Sequence, residues 1–76
     1  MKSTTQRLAR RRARRAEILS DRNREARRTV ELALQAEPLW HNPRIAELTA
    51  RLAVFDARHA RLAALAARNW AVWNGS

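Results

Sequence analysis

The chain has 76 residues, sixteen of them Lys or Arg against seven Asp or Glu, for a formal net charge of +9, and it has no cysteine. That length allows at most one small domain with a modest core, and the lack of thiols rules out disulfides and thiolate metal sites. No apolar run approaches the roughly 18 residues that a membrane span needs.

Ala, Leu, Arg and Glu dominate, with one glycine, Gly75, and two prolines, Pro38 and Pro43. This vocabulary forms helices and has almost no strand formers, so the expected fold class is all-α. The charge is uneven. Residues 1–28 hold eleven basic against three acidic residues, a net of +8, while residues 29–76 hold five against four, a net of +1. The chain therefore divides into a basic segment, 1–28, and a nearly neutral scaffold, 29–76.

A first helix is expected over about residues 4–36. Ser3 and Gln6 have the spacing of a capping box at its start, and Pro38 disfavours helix at the residue before it. A 3-4 seam runs through Ala9, Arg12, Ala16, Leu19, Asn23, Ala26, Val30 and Ala33. Asn23 either sets register on this seam or turns to solvent, and the reading taken is solvent. A second helix is expected over about residues 43–71, with Asn42 as N-cap and Pro43 at the first helical position. Its seam is unbroken: Ile45, Leu48, Leu52, Phe55, His59, Leu62, Ala66, Asn69 and Trp73. His59 is expected to be packed and hydrogen-bonded there. Nearly opposite lies an alanine stripe at positions 46, 50, 53, 57, 60, 64, 67 and 71. It either fills exposed positions or admits another helix at close range, and the first reading is taken.

A short connection between long helices predicts an antiparallel two-helix hairpin. With so little core, the hairpin is expected to self-associate or to dock on a partner. Ile45, Leu48, Leu52, Phe55 and Leu62, with Trp70 and Trp73, are the residues expected at an oligomer or partner interface. Trp40 is expected in core packing or a partner contact. Full pairing would also bring the first arginines beside Trp70 and Trp73, where guanidinium groups can stack on indole. Residues 73–76 read as a fraying end.

Six of the nine residues 7–15 are arginine. Arginine presents a planar fork that grips phosphate and guanine edges bidentately and stacks on bases. A field this concentrated is costly unless something anionic meets it. The expected nucleic-acid contacts are Arg7, Arg10, Arg11, Arg12, Arg14, Arg15, Arg22, Arg24, Arg27 and Arg28. Such contacts release counterions, so binding should be steeply salt-dependent. Few polar side chains are placed to read bases, so strong affinity with modest specificity is expected.

The run Arg10-Arg11-Arg12-Ala13-Arg14-Arg15-Ala16-Glu17 resembles the arginine-rich motif of the lambda-type phage N antitermination proteins. The resemblance covers these eight residues. It implies a short helix that folds on an RNA hairpin, its arginines tracking phosphates in the widened major groove. The family follows its run with an aromatic residue that stacks on the RNA loop; Arg22 stands at that position here. Asn23-Arg24-Glu25-Ala26-Arg27-Arg28 is also similar to part of a bZIP basic region. That motif needs a leucine zipper directly downstream, and here Pro38 intervenes.

His41 and His59 make no metal site, no arrangement of serine, histidine and acid suggests a nucleophile, and no glycine loop is present to cradle phosphate. The expectation is a non-enzymatic, cofactor-free, cytoplasmic protein without a membrane partner. It binds nucleic acid, structured RNA ahead of DNA, as a small transcription regulator of phage or plasmid type, and forms a homo-oligomer or joins a larger assembly. The alternative is a structural or adaptor subunit of a phage or nucleoprotein assembly, its basic arm docked on phosphate or an acidic protein surface.

Overall fold

A computed structural model describes residues 1–40 and 42–75. It is a hairpin of two helices, α1 (Thr4–Ala36) and α2 (Pro43–Trp73), forming a rod 61 Å long and 15 by 12 Å across. His41 lies outside the described residues. The caps follow the expected chemistry. Ser3 Oγ accepts from Gln6 N at 3.1 Å while Ser3 N donates to Gln6 Oε1 at 2.8 Å. Asn42 Oδ1 accepts from Arg44 N at 3.0 Å, and Pro43 occupies the first turn of α2. Glu37 binds the turn from both sides: Oε2 accepts from Asn42 Nδ2 and Oε1 pairs with Arg44 Nε, each at 2.8 Å.

The second helix runs two residues further than expected, and its end is capped rather than frayed. Gly75 adopts φ of 84° and donates to the Val72 carbonyl at 3.1 Å. That bond belongs to a Schellman-type stop, and its left-handed residue is one that glycine adopts at no steric cost.

The α2 seam packs as its spacing predicts. Leu48 is 2% exposed, and Ile45, Leu52, Phe55, Leu62, Ala66, Asn69 and Trp73 are half-buried. Within the single chain, the residues expected at an oligomer or partner interface therefore face α1; Trp70 is half-buried beside them. His59 is exposed, its Nδ1 3.3 Å from Ser20 Oγ at the edge of the seam. Trp40 is not in the core but 82% exposed on the turn. The alanine stripe of α2 is exposed from Ala46 to Ala67, with only Ala71 half-buried.

The α1 seam differs from expectation at alternate positions. The residues turned inward are Ala9, Ala13, Ala16, Ser20, Asn23, Arg27, Val30 and Leu34, while Arg12, Leu19 and Ala26 are exposed. Both phases share residues 9, 16, 23 and 30. They differ in whether the next contact falls three or four residues on. The phase through Arg12 would bury a guanidinium with no carboxylate to meet it, at a cost of several kcal/mol or a neutralising partner. The observed phase keeps Arg12 in water, buries Ala13 and leaves Leu19 only 36% exposed. A partly exposed leucine forgoes only part of the roughly 1.5–3 kcal/mol that full burial supplies. The charge decides the phase.

Asn23 is the second correction. It is 5% exposed, and its Nδ2 donates to the Phe55 carbonyl at 2.9 Å. Its Oδ1 is buried with no hydrogen-bond partner. A polar side chain in this position discriminates between registers, because sliding α2 would leave both ends of the amide unsatisfied.

Among the described residues, Leu48 is the one large apolar side chain that is buried. Leu48→Ala is expected to destabilise the hairpin by about 2–4 kcal/mol, which is most of the stability a chain this size can hold. Thermal unfolding followed by circular dichroism reads this directly; a fall below about 1 kcal/mol would mean that the seam is not the source of stability.

Candidate nucleic-acid interface

The seam decides where the arginines go. Helical residues advance by about 100°, so residues seven apart share a line along the surface. Arg7, Arg14 and Arg28 share one such line, Arg15 and Arg22 another, and Arg10 and Arg24 a third. With Arg11 and Arg12 they surround α1 on every side except the alanine seam. All eight arginines at 7, 10, 11, 12, 14, 15, 22 and 24 are exposed. None of them is in an ion pair among the described residues. Six of them, with Ile18, Leu19 and Trp73, border an open trough and not an enclosed pocket.

The start of α1 is held against the end of α2. Lys2 Nζ lies 4.6 Å from the centre of the Trp73 ring and donates to the Trp73 carbonyl. Arg10 Cζ lies 5.1 Å from the same ring. The expected stacking of arginine on indole is thus made at Trp73, while Trp70 does something else: its Nε1 donates to Glu17 Oε1 at 2.5 Å. Glu17 thus takes a neutral donor across the hairpin and is in no ion pair among the described residues. Arg7 Nη2 donates to the Lys2 carbonyl at 3.3 Å.

Two of the ten expected contacts are in ion pairs among the described residues. Arg27 Nε donates to Asp56 Oδ1 at 2.8 Å and its Nη1 to Glu31 Oε2 at 3.1 Å. The hydrogen bond to Asp56, then that residue's charge, raises the Arg27 pKa above its ordinary value. Arg27 therefore closes one edge of the hairpin. Arg28 Nη1 is 4.0 Å from the same Glu31 oxygen, a loose and exposed pairing that leaves it open to other anions.

Four basic side chains of the same surface were not on the expected list. Lys2 joins it through Trp73, and Arg58, Arg61 and Arg68 stand exposed on α2. The spacing of the last three was legible, but a count of charge by segment hides a face assembled from two helices. Among the described residues, no group of acidic or histidine side chains could hold a metal ion, and no helix is long and apolar enough to cross a membrane. Comparison of the chain with protein families, with curated proteins and with solved structures finds no match to any of them.

Because its guanidinium is already committed, Arg27→Ala is expected to lower stability by no more than about 1 kcal/mol and to leave nucleic-acid affinity and its salt dependence unchanged. Thermal unfolding and a binding titration on the same variant check both halves. A reduced salt slope would place Arg27 among the phosphate contacts instead.

Proposed function

We propose that this protein is a small, non-enzymatic helical regulator that binds nucleic acid through the exposed arginines of residues 7–28, Arg27 excepted, structured RNA ahead of DNA, with residues 29–76 as the scaffold. One observation carries the reading. Among the described residues, eight arginines on five turns of one helix are in no ion pair, although seven acidic residues are present in the chain. A fold that needed those charges for its own stability would pair them, as it pairs Arg27 and Arg44. Repulsion among them disfavours the folded state and is relieved when a polyanion displaces its counterions onto solvent.

The arginine-rich run at residues 10–17 supports RNA, since such segments commonly recognise structured RNA. Here the run is already helical and clamped at its start, so binding need not supply the ordering of a disordered arm. Regulation of transcription in a phage or plasmid setting is the biological role that goes with this reading.

The adaptor reading draws on a different observation, the exposed alanine stripe of α2 together with Leu39 and Trp40, 90% and 82% exposed on the turn. Alanine also fills solvent positions simply as the best helix former, so the stripe ranks below the charge as evidence.

The test is a titration of the full chain against RNA hairpins and duplex DNA at several salt concentrations. A steep linear fall of log K with log salt is expected, at about 0.9 per phosphate contact on duplex DNA. Replacing Arg10, Arg11, Arg14 and Arg15 by Ala should shallow that slope on duplex DNA by up to about 3.6, four contacts at about 0.9 each, and preserve helicity, since alanine is the better helix former. Absence of salt-sensitive binding by the unaltered protein would end this reading and leave the adaptor one.

A further inference from the structure

The hairpin turns α2 so that its own arginines extend the basic surface of α1 along one side. Positions 58, 61, 65 and 68 recur at 3-4 spacing and place Arg58, Arg61, Leu65 and Arg68 in a stripe flanking the α2 seam. Positions 12, 15, 19 and 22 do the same for Arg12, Arg15, Leu19 and Arg22 on α1. The two stripes are on the same side, because Arg12, Arg15 and Leu19 border one recess together with Leu65 and Asn69. The register is set by Asn23 against Phe55 and by Ser20 against His59. It brings Arg22 level with Arg58 and Arg12 level with Arg68.

The opposite side is chemically different. It is the side on which Asp56 takes Arg27 and Glu17 takes Trp70. On the arginine side, the α1 stripe carries no carboxylate over residues 8–26, and the α2 stripe carries none over residues 51–72. All six guanidinium groups are exposed and none is in an ion pair among the described residues.

We infer that Arg58, Arg61 and Arg68 act with Arg12, Arg15 and Arg22 as one contact for the two phosphate rows of a nucleic-acid duplex. The inference rests on the nucleic-acid reading above and specifies its face and its ligand. The dimensions support a duplex over a single strand. From residue 12 to residue 22 a helix rises about 15 Å, and packed helices lie about 8–10 Å apart. Each row thus parallels about four phosphates of one strand at about 3.4 Å per charge, and a second row stands beside it. A lone strand could neutralise only one row at a time. Leu19 and Leu65 between the rows offer no hydrogen bonds to bases, so this face reads backbone geometry and not sequence.

The experiment uses the full chain and four probes: an RNA stem, a DNA duplex of equal length, and the single strand of each. Salt slopes are measured for the unaltered protein, for Arg58→Ala/Arg61→Ala/Arg68→Ala and for Arg12→Ala/Arg15→Ala/Arg22→Ala. Both triple variants should lose about 2.7 from the slope on duplex DNA, three contacts at about 0.9 each, and the two duplexes should outcompete their single strands. The stem and the DNA duplex, compared directly, identify which source of paired phosphates is preferred. A lysine version of the α2 triple, which keeps the charges, should retain the slope. Salt-sensitive binding that the α2 triple leaves intact while the α1 triple weakens it would overturn this inference and spare the broader reading, as would single strands bound as tightly as duplexes. No binding by the unaltered protein would remove both.

Discussion

The structure depends on how few atoms α1 presents to α2. Ala9, Ala13 and Ala16 are buried, and the next inward positions are Ser20 and Asn23. This side of α1 is a shallow groove, and the large residues of α2 fill it: Leu62, Trp70 and Trp73 at the basic end, Leu48, Leu52 and Phe55 toward the turn. The division of labour follows from charge. A helix with arginine at a third of its first two dozen positions has little room for bulky apolar side chains, so α2 supplies the buried volume. The alanines let the backbones approach, and the long arginine stems leave the seam on either side with their charged heads in water.

That arrangement makes the hairpin thin and electrostatically one-sided. A rod 61 Å long carries, among the described residues, one large apolar side chain that is buried, Leu48 at 2% exposure. Apart from the buried Asn23 on the Phe55 carbonyl, its polar contacts between the helices sit at the edges and the ends. Arg27 with Asp56, Glu17 with Trp70, and Lys2 and Arg10 on Trp73 fasten one margin and one terminus. Glu37, Asn42 and Arg44 fasten the turn. Four of the seven carboxylates, Glu17, Glu31, Glu37 and Asp56, are engaged in such contacts, and the exposed arginines from Arg7 to Arg24 are in no ion pair among the described residues. On the proposed reading, most of the arginines that would bind are not those that hold the fold together, Arg10 on Trp73 being shared between the two.

Much of this was legible in the sequence. Proline and asparagine at the turn, the Ser3 and Gln6 pair, and the regular α2 seam define both helices and their antiparallel pairing. What misled was the α1 seam. Apolarity alone favours Leu19 over Ser20, and periodicity alone allows Arg12 as readily as Ala13. The choice turns on the cost of burying an unpaired charge, which a count of apolar spacing does not weigh. Asn23 was misplaced for the same reason: its partner is a backbone carbonyl of Phe55, and no side-chain pattern announces it. Charge summed along the sequence gives Arg58, Arg61 and Arg68 no weight, since it takes the pairing of two helices to set them beside the arginines of α1. Trp40 offered a large apolar side chain and nothing in its neighbourhood to say that the turn would hold it outside the core.

The claim on which everything rests is that the arginines of α1 repel one another in the free protein and are not satisfied within it. Unfolding free energy measured against sodium chloride concentration tests this without any ligand. Salt screens interactions between exposed charges beyond about 10 Å at 0.1 M, so a protein dominated by self-repulsion gains stability as salt is added. This account predicts that gain. A steady loss of stability with rising salt would show the charges to be engaged in attractive pairs, within the chain or between copies of it, and would contradict the account.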